Sequence, residues 1–342
     1  MSKWGQEDGH QGGRRFNPSR TCQSLLTLAL PNTSIDSALV SPEQVCRVDA
    51  TVTHPPAGDK VKIYVALPLS GWNGRFQGRG GGGFSGGGPD SLVEPVRQGY
   101  AAGSTNTGHD GGSGSFALDG SVRLNWMLIR DNGYLGVHEM TVTAKALIEA
   151  FYGQGPRYSY FNGCSTGGRQ GLMEAQRYPA DYQGILAGAP AINWTKLHIA
   201  QMWGHVVMAE ANRYVAPCQL AAANAAAVSV CDLIDGVQDG VIEDPSRCKF
   251  DPVIMTRFQP VNCAPLTEID AAVIRKIWDG PVRRDGSFLW YGLPRGAEPV
   301  ALNRTGGEPP ASQPMAITLD WWRYFLRQDP QWSWAGCNPR GV

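Results

Sequence analysis

The sequence has no excess charge of either sign: Lys and Arg number 30, Asp and Glu 30, and the formal net charge is zero. That excludes a nucleic-acid reader working through a globally basic surface. Long apolar runs are missing too. None approaches the roughly 18 residues of a membrane-crossing helix, and the opening stretch MSKWGQEDGHQGGRRFNPSR has no apolar core of a secretory signal. No two cysteines stand in C-x-x-C spacing, which removes zinc ribbons and dithiol redox motifs. Histidine is scarce, at 6 residues, and no internal repeat or collagen triplet is present. With 42% hydrophobic and 18% charged residues over 342 positions, disorder is excluded and one large domain or two ordinary ones are expected.

Two residue types are plentiful instead. Glycine reaches 43, concentrated at 78–88 and 103–120, where it reads as tight functional loops. The eight cysteines, lacking metal spacing, imply disulfides and therefore an oxidising compartment. An N-terminus continuing upstream would reconcile this with the leaderless opening.

Residues 60–69, 99–105, 157–163 and 184–189 read as strands. Tyr134 to Tyr152 reads as a helix with Met140, Ala144, Leu147 and Phe151 on one stripe, and Thr166 to Tyr178 as a second, stopped by Pro179. Alternating strands and helices predict a parallel α/β sheet. After about Trp194 the pattern becomes Ala-rich and helical (Gln219 to Val228), then acidic and Gly-containing, then Pro-rich. This predicts an irregular second region inserted above the sheet. Its many rings (Trp290, Tyr291, Trp321, Trp322, Tyr324, Phe325, Trp332, Trp334) are expected to build a small core.

Gly163-Cys164-Ser165-Thr166-Gly167 fits G-x-S-x-G and lies between a predicted strand and a predicted helix. A nucleophile elbow holds its serine in a strained turn, so small residues must flank it, and Gly163, Gly167 and Gly168 do so. Ser165 is the expected nucleophile, with the backbone N–H of Thr166 facing a developing oxyanion. The pattern also matches around Ser85, and Gly78, Gly80 and Gly83 match G-x-G-x-x-G. In neither case can Gly86 to Pro89 start the helix those motifs need. The Gly-rich loop is better placed to give the second oxyanion N–H, from Gly82 or Gly83; a plain surface turn weighs equally.

Between Cys231 and Cys248, Asp232, Asp235 and Asp239 stand at spacings of three and four, with Gly236 and Gly240 permitting sharp turns. Such a loop can wrap a hard cation, and Ca2+ is the expected occupant, with Val237 and Val241 offering carbonyls. It is no EF-hand, since Val237 and Ser246 stand where that motif requires acidic ligands. A Cys231–Cys248 bridge would pre-organise the loop, and Cys22 is able to pair with Cys46.

Taken together, Tyr160 to Gln170, Arg177-Tyr178-Pro179, Gly184 to Pro190, Cys231 to Pro252, Trp72 to Phe76 and Asn106 to His109 resemble the tannase and feruloyl esterase family of α/β-hydrolases. The resemblance implies an α/β-hydrolase fold with a parallel-type sheet and an inserted calcium-binding lid. It divides the chain into a tail at 1–21, a hydrolase part at 22–192 and a lid at 193–342. It implies hydrolysis of small esters of aromatic acids such as gallate and ferulate by a Ser-Asp-His triad, with no organic cofactor, nucleic-acid partner or membrane. It also implies a secreted or periplasmic protein. In the family the triad Asp and His follow the lid, and the cysteine before the serine pairs with one beside that His. After Ser165 the only histidines here are His198 and His205, both near the start of the lid-like region, so no histidine stands in the family's place after the lid. The expectation is therefore a chain without its triad Asp and His and without the final strands, weak or inactive, with Cys164 lacking its family partner and Cys218, Cys263 and Cys337 unassigned. The alternatives are a non-catalytic remnant that binds calcium and an aromatic ligand, or a rearranged triad using His109 or His138, which read more simply as loop or helix-end histidines.

Overall fold

The computed structural model describes residues 16–283 and 285–334. The first fifteen residues and Cys337, both touched by the expectations above, lie outside them. The chain divides into two compact units, Met1–Ala191 and Ile192–Val342.

The first unit is built on seven strands: β1 (Thr33–Val40), β2 (Val45–Val52), β3 (Val61–Pro68), β4 (Arg75–Arg79), β5 (Ala101–Thr105), β6 (Tyr158–Cys164) and β7 (Gly184–Gly188), in the order β1-β2-β3-β5-β4-β6-β7. The sheet is mixed. Strands β5, β4, β6 and β7 run parallel, while β1, β2, β3 and β5 pair antiparallel. The expected parallel sheet is thus found around the serine motif. The antiparallel part includes β1 and β2, which the apolar pattern did not mark. Short helices α1 (Val93–Arg97) and α2 (Trp126–Arg130) lead to the two long ones, α3 (Gly136–Tyr152) and α4 (Thr166–Arg177).

Why these segments fold so follows from their faces. On α3 the expected stripe of Met140, Ala144, Leu147 and Phe151 is fully buried, and the helix packs against β3 and β5. A left-handed Gly153 at φ 74° ends it. Strand β3 reads as a nearly continuous apolar run and is buried along most of its length, as a strand covered on both faces must be. Strand β7 is the outer strand of the described sheet, with Leu186 64% exposed.

The second unit contains α5 (Trp194–Glu210), α6 (Pro217–Cys231), α7 (Glu268–Asp279) and α8 (Ala316–Asp320), with the two-residue strands β8 (Thr305–Gly306) and β9 (Ala311–Ser312). Its core is aliphatic: Val207, Met208, Leu220, Ala223, Ile274 and Ile277 are buried together with Trp278. The expected core of rings is not what forms. Of those eight aromatics Trp322 alone is buried, and Tyr291 is 70% exposed. Ring content in a sequence reports composition, while burial depends on which helices meet.

One stretch, Pro217–Ile234, is after all long and apolar enough to cross a membrane by length and composition, with mean hydropathy 1.3. It is not an unbroken apolar run, because Gln219, Asn224, Ser229 and Asp232 interrupt it, and so the sequence expectation passed over it. Its ends are tied by Cys218–Cys263 and Cys231–Cys248, and Leu220, Ala223 and Ala227 are buried in the unit's core.

Candidate active site

Strand β6 ends at Cys164 and α4 begins at Thr166, so Ser165 is the single residue turning the chain from one to the other. It sits at φ 59°, ψ −118°, a conformation that L-residues rarely adopt and that costs about 1–3 kcal/mol. Three backbone bonds hold it there: its N–H donates to the Gly188 carbonyl, and its own carbonyl accepts from Arg169 and Ala191, each at 3.0 Å. Its side chain belongs to an exposed residue at the carboxyl end of the sheet.

Glycine is required around the turn because backbone lies where side chains would be. A Cβ on Gly163 would meet the Gly167 carbonyl carbon at 2.5 Å, and one on Gly168 would meet the Gly188 carbonyl oxygen at 2.5 Å. A Cβ on Gly80 would meet the Gly167 Cα at 2.5 Å, so the loop after β4 lies directly on the first turn of α4.

That loop is fixed by four hydrogen bonds. The Gly167 N–H donates to the Gly81 carbonyl at 3.0 Å, and the Thr166 hydroxyl to the Gly83 carbonyl at 2.6 Å. Gln170, buried on α4, accepts from the Gly81 N–H and donates to the Gly86 carbonyl, both at 3.0 Å. Gly82 is exposed at the tip, Gly83 stands at φ 62°, and the Ser85 N–H closes the turn on the Gly82 carbonyl. The structure therefore brings Ser165, Thr166, Gly82 and Gly83 into one corner. The N–H of Thr166, in the first turn of α4, has no intrahelical acceptor. Gln170 is the residue that sequence reasoning missed; a glutamine on an amphipathic helix gives no signal of its own.

His109 and His138 are both engaged elsewhere. His109 Nε2 lies 2.8 Å from the Phe84 carbonyl oxygen, its ring stacks on Phe116, and burial holds it below its ordinary range. His138 Nδ1 lies 2.7 Å from Asp181 Oδ2, with its ring stacked on Tyr178. Within the second unit, His205 is buried, which pushes it down to about 4.

Among the described residues three disulfides are present: Cys22–Cys46, Cys231–Cys248 and Cys218–Cys263. The third gives partners to two cysteines that spacing left unassigned. Among the described residues Cys164 is the one outside a disulfide, and it is exposed.

In the acidic loop each aspartate turns one oxygen back on its own backbone. Asp232 Oδ1 accepts from the N–H groups of Asp239 and Gly240, Asp235 Oδ1 from Val237, and Asp239 Oδ1 from Val241. The second oxygen of each carboxylate and the loop carbonyls remain as hard-oxygen donors, but the three carboxylates do not gather within 4.8 Å of one another as two other acid clusters of the chain do.

The family model described as tannase and feruloyl esterase matches residues 45–314. A probable feruloyl esterase of Arthroderma benhamiae is 38% identical over 310 residues, covering 87% of this chain and 56% of that protein. The chain thus spans about half the length of the curated relatives it matches. The crystal structure of an esterase from Aspergillus oryzae superposes with a TM-score of 0.77 at 27% identity, over 94% of this chain and 68% of that one. Tannin acyl hydrolase from Aspergillus niger shares the fold, with a TM-score of 0.78 at 21% identity over 92% of this chain and 64% of its own. With an α/β-hydrolase sheet, a serine at the strand-to-helix turn and this extent of match, the chain belongs to the tannase and feruloyl esterase family.

Proposed function

We propose that the chain carries the nucleophile and oxyanion hole of a serine carboxylic ester hydrolase that cleaves small esters of aromatic acids of the gallate or ferulate type. The observation that carries this reading is Ser165 at φ 59° between β6 and α4, with the Gly80–Gly83 loop bonded across the first turn of that helix. Ser165 Oγ attacks the ester carbonyl carbon and forms an acyl-serine as the alcohol leaves; water then attacks the acyl carbon and frees the acid. The N–H groups of Thr166 and of Gly82 or Gly83 take the negative charge of each tetrahedral intermediate. The general base falls to the Asp and His that the family carries after its lid. The engagement of His109 and His138 supports that assignment over a rearranged triad.

The second unit serves as the lid, and Asp232, Asp235 and Asp239 with the carbonyls of Val237 and Val241 would hold a calcium ion that fixes its loop. Three disulfides and the family's fungal members support an extracellular setting.

Hydrolysis of methyl gallate and methyl ferulate by the 342-residue chain, beside its Ser165→Ala variant and with calcium present, tests the reading. No turnover above that of the variant is expected, because an oxyanion hole and binding alone leave the same slight residual catalysis whether or not an unactivated serine is present. Turnover that the variant loses would mean that a base acts on Ser165 within this chain or across a dimer, and would overturn the assignment of that base to the segment after the lid. Absence of turnover in both, with ligand binding retained, would favour a non-catalytic calcium- and aromatic-ligand-binding protein instead.

A further inference from the structure

Apart from the serine corner, the first unit contains a second concentration of chemistry-bearing side chains. His54 follows β2, Asp59 precedes β3, and Asp131 opens the π-helical turn Asp131–Leu135 that runs into α3. One ligand atom from each lies within 4.8 Å of the other two. Asp131 has no solvent exposure, and neither of its carboxylate oxygens has a hydrogen-bond partner. A buried, unsatisfied carboxylate is costly and calls for a counter-charge. We propose that His54, Asp59 and Asp131 form a binding site for one divalent cation of the zinc class, with Glu139 as the outer carboxylate that orients the histidine.

The donor set is what such a cation uses: one imidazole nitrogen and two carboxylates, leaving a fourth position for water. His54 Nδ1 lies 2.6 Å from Asp59 Oδ2, and Nε2 lies 3.4 Å from Glu139 Oε1. A carboxylate on the outer nitrogen fixes the tautomer that leaves Nδ1 as the ligand, as in other carboxylate–histidine–metal arrangements. The cation would take the place of the proton now shared between Nδ1 and Asp59. Burial first, then the charge of Asp59, pushes Asp131 up to about 7, the sign of a carboxylate in need of positive charge. The imidazole and Glu139 are about one-fifth exposed on their side chains and give the ion a way in.

A contrast within the same unit sharpens the assignment. His138, Glu174 and Asp181 also cluster within 4.8 Å, and Glu174 is buried with both oxygens unpartnered. There, however, the Lys145 ammonium acts on both acids and donates to the Asp181 carbonyl. A resident lysine already supplies the positive charge. Among the described residues, the positive charges acting on Asp131 are the imidazole of His54 itself and Arg130, which is exposed; no lysine takes that place.

The consequence is structural. The cation would join the turn between β2 and β3 to the start of α3, where the Asn132 side chain donates to the Phe84 carbonyl at 3.2 Å, next to Gly82 and Gly83.

The test uses the 342-residue chain stripped with a chelator and dialysed against zinc chloride, with bound zinc counted by elemental analysis and thermal midpoints taken with and without zinc. The wild type is expected to hold one zinc more than His54→Gln and Asp131→Asn, and zinc is expected to raise the midpoint of the wild type alone. Glu139→Gln should weaken zinc about 10- to 100-fold. Asp235→Asn, in the acidic loop, and Glu174→Gln, in the second cluster, should leave the zinc count at the wild-type value. Equal zinc in the wild type and both ligand variants would overturn the proposal. So would a wild type that takes no zinc while Asp131→Asn is stabilised, because Asp131 is then a buried protonated acid. The two ligand variants are read separately, so a failure of one to fold leaves the other decisive.

Discussion

At Ser165 the backbone is held in an unfavourable conformation by residues whose only contribution is to lack a side chain. Gly163→Ala places a methyl group 2.5 Å from the Gly167 carbonyl carbon, and backbone cannot yield as a side-chain tip can. A loss of about 3 kcal/mol or more in urea unfolding is expected, together with loss of esterase turnover. Gln170 acts differently, as a clamp. Gln170→Ala strands the Gly81 N–H and the Gly86 carbonyl, which that side chain now satisfies. A cost of about 2–4 kcal/mol follows if both groups stay dry. Steady-state kinetics should show kcat falling with KM nearly unchanged, because oxyanion donors work chiefly in the transition state. An unchanged kcat per folded molecule, with the unfolding free energy still lowered, would assign Gln170 to stability alone. The glycines and Ser165 were legible in the sequence because steric exclusion leaves a fixed pattern. Gln170 was not, since the groups it bonds lie some ninety positions away in the chain and no local pattern announces them.

Among the elements, the β6–turn–α4 unit was readable for the same steric reason, and α3 because its four apolar residues share one face. Strands β1 and β2 were not. β1 carries Ser34, Asp36 and Ser37 and is half-exposed, so its sequence has little of the apolar alternation that marks a strand. β4 is five residues long and ends in the glycine loop, which masks it. The pairing of α3 with α4 also brings His138, Glu174 and Asp181 together, a non-local event that periodicity does not contain. Burial, then the nearby Asp181, pushes Glu174 up to about 9. The folded protein therefore binds a proton that the unfolded chain has released above its ordinary carboxyl range. Its contribution to stability is fully present below about pH 4.5 and is lost as pH rises toward 9. Glu174→Gln should flatten the decline in unfolding free energy across that window and make the variant the more stable of the two at pH 9. A variant with the same slope as the wild type would show that Glu174 is ionised in the folded state.

Over the whole molecule, two units with separate cores are cross-linked unequally. The first holds Cys22–Cys46, with both cysteines buried; the second holds Cys231–Cys248, also buried, and Cys218–Cys263, in which Cys218 is exposed. Access decides which bond a mild reductant opens first, and that bond is Cys218–Cys263. It closes a separation of 45 residues, for which the chain-entropy account gives about 4 kcal/mol. It joins the first turn of α6 to the segment before α7, and those helices supply Leu220, Ala223, Ile274 and Ile277 to one core. Mild reduction should therefore speed amide hydrogen exchange in α6 and α7 while β2 and β3 keep their protection. If β2 and β3 lose protection in step with α6 and α7, the two cores unfold as one cooperative body. If neither exchanges faster once two thiols have been counted, the bridge constrains little, and the aliphatic core of the second unit holds its helices without it.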